Sequence, residues 1–147
     1  MPSINVNIGP SGAVANVFVG VSTPRLKALH AAGIAAPNQV IGKFLIDSGA
    51  SMTVIDPALI ASLGITPTGN VPIHTPSTNG VMHNCNQYDV SLFIPGADQS
   101  VGCFIDTLPV IETSLSPQGI DGLIGQDLLN RWVSIYQGDT KIFTFSY

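Results

Sequence analysis

The stretch Val40-Ile41-Gly42-Lys43-Phe44-Leu45-Ile46 constrains this chain more than any other. Its β-branched and aromatic residues suit an extended strand that carries the chain through a core. Yet it runs without a break into Asp47-Ser48-Gly49. A strand that needs burial therefore ends on a carboxylate. Gly49 permits a tight turn after it, and a side chain as small as Ser48 leaves room for another backbone. Taken alone, the tripeptide reads as a turn. A chemical reading needs a second element elsewhere in the chain.

The rest of the sequence repeats the strand signal. Residues 3–8 set Ile4, Val6 and Ile8 against Asn5 and Asn7, the alternation of a strand with one buried face. After a turn at Gly9-Pro10-Ser11-Gly12, residues 13–21 predict a second strand. A short helix over 24–33 is capped by Ser22 or Thr23, starts with Pro24 and packs Leu26 and Leu29, and Gly33 ends it. A strand over 52–55 precedes a second helix, which Asp56-Pro57 opens and Gly64 closes after Leu63. Residues 71–94 predict a long hairpin with its tip at Ser77-Thr78-Asn79-Gly80, because Asn and Gly both tolerate positive φ. Further strands are expected over 101–105, 133–136 and 141–145, and a short helix over 126–131. The pattern is mostly β, and without linker or repeat it predicts one domain over 1–147.

Composition removes several function classes. Of the 147 residues, 45% are hydrophobic and 10% charged, so a core is available and a charge-rich disordered tail is excluded. Five scattered Lys and Arg and a net charge of −4 make no nucleic-acid footprint. The first 24 residues carry no charged side chain, but Asn5, Asn7 and Asn16 interrupt them, and no basic segment precedes them. They predict neither a membrane span nor a secretory signal, so the reading is cytoplasmic. Cys85 and Cys103 are two thiols or one bridge; both readings stay open. His74, His83 and Cys85 lack a fourth ligand at a recognisable spacing, so no metal and no cofactor are expected. No Ser lies in a nucleophile-elbow pattern.

The second element is Asp121-Gly122-Leu123-Ile124-Gly125-Gln126-Asp127-Leu128-Leu129. Together with Phe44-Leu45-Ile46-Asp47-Ser48-Gly49-Ala50-Ser51, it resembles the retroviral-like (retropepsin-type) aspartic protease family. There, an apolar-apolar-Asp-Thr/Ser-Gly-Ala turn is followed by a hairpin flap and then an apolar-apolar-Gly segment entering a short helix. The three occur here in that order, and the resemblance spans most of the chain. It implies a closed β-barrel of the acid-protease fold with one or more short helices. Asp47 would be the catalytic residue, one per subunit, with Ser48, Gly49 and Ala50 supporting the loop. Ser48 would hydrogen-bond across a two-fold axis. Leu123-Ile124 would cross beneath Asp47 in a psi-shaped loop, with Ile124 and Gly125 as supports. The hairpin, about 71–94, would be the flap, with Asn79, Gly80 and Val81 against substrate. Gln126 stands where many relatives have Arg, which removes a charged tie and bears on dimer strength.

Peptide hydrolysis by this route needs two carboxylates sharing a proton, and the chain has only one such motif. Asp89-Val90-Ser91 and Asp106-Thr107-Leu108 lack the Gly. A homodimer would supply the second Asp47. The expected function is an aspartic endopeptidase acting on a peptide or protein substrate, with an acidic to neutral optimum and with neither nucleic acid nor membrane as partner. The alternative is a protease-fold binding or dimerisation module with little activity. The alternating Phe143, Phe145 and Tyr147 read equally as a dimer interface or as core.

Overall fold

The computed structural model describes residues 1–74, 80–97 and 101–147. Strand β1 (Ser3–Gly9) buries Ile4 and Val6 and exposes the Asn residues between them, as the alternation predicts. Strand β2 (Gly12–Val21) follows, then helix α1 (Thr23–Ala31), in which the Ser22 hydroxyl accepts the Arg25 N–H. Strand β3 (Val40–Ile46) leads to a short β4 (Val54–Ile55) and helix α2 (Pro57–Leu63), which ends on Gly64 in the left-handed conformation. Strands β5 (Gly69–Ile73) and β6 (His83–Pro95) are the arms of the expected hairpin. Then come β7 (Gly102–Glu112), β8 (Gly122–Ile124), α3 (Gln126–Leu129), β9 (Val133–Gln137) and β10 (Ile142–Ser146).

Six strands close on themselves in the order β6-β7-β4-β8-β3-β2, because β2 pairs back onto β6. That return pairing places Phe18 opposite Phe93 and Val19 opposite Leu92. The mostly-β closed barrel with short helices that the sequence implies is the observed architecture. Strand β5 extends one end of the sheet, while β1, β10 and β9 extend the other. Val17, Val19, Phe44, Ile55, Val90, Leu92, Ile124, Leu128 and Phe145 are fully buried and fill the interior.

Several expectations change. Strand β3 is apolar except for Lys43, yet only Gly42 and Phe44 are buried, and Ile41 is 61% exposed. Ile41 lies opposite Phe18, Phe18 opposite Phe93, and Phe93 opposite Phe104. These four form an apolar row across the outer face, so apolar composition here reflects cross-strand pairing as well as burial. Strand β7 runs well past residue 105. A register shift between Val90 and Leu92 lets its pairing with β6 continue to Gln87 opposite Ile111. On its other side β4 covers only Ile111 and Glu112, so Pro109 sits where a missing N–H is tolerated. Strand β4 is shorter than predicted because Met52 and Thr53 belong to the loop contacts below. Helix α3 is also shorter, and it narrows into tighter bonds from Arg131 N–H to Leu128 and from Trp132 N–H to Leu129.

The two readings of the C-terminal strand are resolved in favour of core. Phe143 and Phe145 are buried within the chain, and the Trp132 ring stacks on Phe145 at 4.5 Å. Cys85 and Cys103 are free, buried thiols, and burial pushes the Cys103 thiol up to about 11. Among the described residues no helix is long and apolar enough to cross a membrane.

Two residues give direct tests. The Phe44 ring lies against Gly122, where an added Cβ would press into it. Gly122→Ala should destabilise by about 1–3 kcal/mol in chemical denaturation, through overpacking. Asp56 caps α2 at Ala58 N–H and also accepts from Leu115 and Ser116 N–H at 2.7 and 2.9 Å. Burial pulls its pKa up, but these three donors outweigh burial and hold the carboxyl below its ordinary 3.8. A lowered folded pKa contributes stability that is complete above the unfolded value and lost as pH falls through the folded one. Asp56→Ala should therefore cost roughly 2–4 kcal/mol at neutral pH. The gap from wild type should narrow as melts are repeated below pH 3.8.

Candidate active site

Strand β3 delivers Asp47 to the surface through a parallel pairing with β8. Phe44 lies opposite Gly122, Leu45 opposite Leu123 and Ile46 opposite Ile124. The ladder continues one step further, since the Asp47 N–H donates to the Ile124 carbonyl at 3.0 Å. The backbone of Asp47 is thus fixed before its side chain is considered. The chain then turns. Ala50 N–H donates to the Asp47 carbonyl at 3.2 Å, and Gly49 N–H donates to Asp47 Oδ1 at 2.9 Å. Asp47 and Ala50 are half-buried, while Ser48 and Gly49 are exposed. Gly49 does not adopt the left-handed conformation. Its constraint is space, because a Cβ there would stand 3.1 Å from Asp47 Oδ1.

A second layer holds the loop from below. Gly125 packs so closely that a Cβ would lie 2.5 Å from the Met52 carbonyl. Its N–H donates to Thr53 Oγ1 at 3.2 Å. That hydroxyl donates in turn to Asp127 Oδ1 at 2.8 Å, and the Thr53 N–H donates to Asp127 Oδ2 at 3.0 Å. Thr53 is fully buried, so this chain of bonds satisfies groups that water does not reach. Gln126 binds twice: its N–H donates to the Ala50 carbonyl at 2.8 Å, and its Nε2 donates to the Ser48 carbonyl at 2.7 Å. Gln126 thus ties the start of α3 to the Asp47 loop without a charge.

Beside this loop lies a cleft of about 300 Å³. Asp47, Gly49 and Ala50 form one side of it, and Val54, Ile73, Ile111, Leu115 and Leu123 supply apolar walls. His74 and Thr113 add polar groups. Among the described residues Asp47 is the one carboxylate that lines it. A cavity between β1, β2 and the end of β6 is lined by Asn5, Asn7, Asn16 and apolar residues, with no ionisable side chain.

The structure brings together Asp47, Ser48, Gly49, Ala50, Ile124 and Gly125. It does not bring Gly80 and Val81 to the lining of the cleft: Gly80 has φ +78°, and Val81 is 68% exposed. Asn79 lies outside the described residues. The hairpin reaches the cleft through Ile73 and His74 at the end of β5. Among the described residues no three His, Cys, Asp or Glu side chains converge as metal ligands. Sequence reasoning missed Thr53, the bonding of Asp127 and the role of Gln126. Thr53 and Asp127 are 74 positions apart, and no local pattern marks such a pair.

Thr53→Val keeps the shape and removes the hydroxyl that joins Gly125 to Asp127. It should lower stability by about 1–3 kcal/mol in denaturant titration, the cost of leaving buried polar groups unpaired.

Comparison with known proteins agrees with this geometry. Residues 35–128 match the aspartyl protease family. The fold is similar to the crystal structure of a retropepsin-like aspartic protease from Rickettsia conorii, with TM-score 0.60 and 17% identity. That match covers 99% of this chain and 91% of that one. The retroviral protease-like domain of Ddi1 from Leishmania major also matches, with TM-score 0.44 and 16% identity over 91% of this chain and 94% of that one. A search of curated proteins gives no match. With its fold, its paired motifs and a family match over more than half its length, the chain belongs to the aspartyl protease family.

Proposed function

We propose that the chain is an aspartic endopeptidase that acts as a homodimer, each copy contributing Asp47. The observation that carries this reading is the cleft itself. One carboxylate stands at its side, backed by rigid hydrogen bonds and flanked by the exposed Ser48. A single carboxylate makes half of an acid–base pair. A two-fold axis beside Ser48 completes it.

Two Asp47 carboxylates in contact share one proton, because like charges so close do not both ionise. The pair titrates as a unit. The ionised member takes a proton from water as the water oxygen bonds to the peptide carbonyl carbon. The protonated member gives its proton to the carbonyl oxygen. When the C–N bond breaks, the proton taken from water passes to the leaving amine, and the second carboxyl is reprotonated as the new acid forms. The Gly49 N–H orients Asp47 through Oδ1. The walls formed by Val54, Ile73, Ile111 and Leu115 suit apolar side chains of an extended peptide. The β5–β6 hairpin acts as the flap, with Gly80 and Val81, just before β6, meeting the substrate.

A peptide-library cleavage assay across pH, run beside a mass measurement in solution, tests the proposal. Wild type should cleave with a bell-shaped pH profile. Asp47→Asn should lose at least about 10²–10⁴-fold in rate, the span of general acid–base catalysis. Cleavage that survives the substitution would sink the mechanism. A dimer that cleaves nothing at any pH would favour a binding module instead.

A further inference from the structure

Strand β6 shares one of its edges between two strands. Strand β5 pairs along it from His83 to Gln87, and β2 pairs along it from Val90 to Phe93. Strand β7 occupies the other edge from Gln87 to Pro95. Tyr88 and Asp89 therefore lie at a gap between β5 and β2. On one side of the gap β2 ends at Val21, and the chain leaves as α1. On the other side the chain leaves α2 at Gly64 and enters β5, held by the Thr68 N–H on the Gln87 carbonyl at 2.8 Å.

The two departing segments bound a cavity of about 240 Å³, lined by Ser22, Arg25, Ile65, Thr66, Thr68 and Asp89. It shares no lining residue with the cleft beside Asp47. Arg25 and Asp89 are its two charged side chains, the first exposed and the second half-buried. They belong to different elements, α1 and β6, and among the described residues neither forms an ion pair, with the other or elsewhere. The Thr68 hydroxyl is spent on the Gln87 carbonyl at 3.3 Å. Ser22 is different. It is only 6% exposed, and its Oγ accepts the Arg25 N–H at 3.4 Å, but its own hydrogen meets no acceptor among the described residues. Buried donors are normally matched, so this one marks a place for an acceptor.

A ligand that matches this lining offers negative charge to Arg25 and Ser22 and positive charge to Asp89. A simple anion satisfies the first pair and is repelled by Asp89. A neutral sugar leaves both charges unmatched. A guanidinium favours a planar carboxylate, which it holds by two parallel hydrogen bonds. The cavity is smaller than the roughly 300–1,000 Å³ typical of pockets for drug-sized ligands, so the ligand is small. We infer that this cavity binds a free α-amino acid with a short side chain. Its carboxylate lies on Arg25 and Ser22, its ammonium on Asp89, and its side chain against Ile65. The inference does not depend on the reaction proposed for Asp47.

The test is calorimetric titration of the full chain at neutral pH with glycine, L-alanine, L-serine and L-valine. Two blocked forms of alanine serve as controls: alaninamide, which lacks the carboxylate, and N-acetylalanine, which lacks the ammonium. At least one of the four amino acids should bind. For alanine, either block should weaken binding about tenfold or more, the loss expected for one charged hydrogen bond. Arg25→Gln and Asp89→Asn keep size and polarity, and circular dichroism should show both folded. Each should weaken binding of the unblocked amino acid by a similar factor. The blocked probes decide the matter on wild type alone if a variant fails to fold. No binding of any of the four up to about 10 mM, ten times a weak millimolar dissociation constant, would overturn the inference. So would N-acetylalanine binding as well as alanine, which would mark an anion site. Binding that both folded variants leave unchanged would place the ligand elsewhere and overturn it too.

Discussion

The parallel contact between β3 and β8 is the constraint on which the rest depends. It joins two segments nearly 80 positions apart and closes one side of the barrel. Its last bond, from Asp47 N–H to the Ile124 carbonyl, also fixes the origin of the functional loop. Phe44 fills the space that Gly122 leaves empty, and Gly125 lets the Met52 carbonyl approach. Two glycines in β8 and its exit thus admit a ring on one side and a backbone on the other. A side chain at either place would push the Asp47 loop away from its support.

The loop is rigid because its backbone groups are nearly all spoken for. Ser48 and Ala50 carbonyls bind Gln126, Asp47 binds Ala50 and Gly49, and Thr53 links α3 to the strand after the loop. Ser48 itself stays exposed at the rim, and Asp47 is half-buried beside it. A rigid frame with an exposed rim suits a site that must meet another surface without rearranging.

Much of this was legible in the sequence, for reasons that differ by element. The Ile4–Val6 alternation, the Asp56 cap and the Gly64 end are local physics, and they read correctly; for the first helix the cap is Ser22 of the two residues offered. The motif pair around Asp47 and Leu123-Ile124 pointed to the barrel through its resemblance to the retropepsin-type family, not through local physics. The interior of β7 was not legible, since its length depends on a register shift in β6. Nor was the burial of β3, where Ile41 belongs to an outer apolar row that only strand pairing creates. Thr53 was invisible because an isolated threonine carries no sign of a partner far along the chain. Gln126 was read only for the charge it lacks; its amide bond to the Ser48 carbonyl, 78 positions away, carries no local signal.

The long reach between β3 and β8 has a consequence in time. Contacts between distant segments form slowly, because the loop between them must close before any bond rewards it. Here the carboxylate's support is the last barrel strand to be made. A chain emerging from the ribosome carries Asp47 long before it carries Ile124. Until β8 is out, that Asp is an ordinary side chain on an unanchored turn. The same topology that positions the carboxylate delays its positioning until β8 has been made.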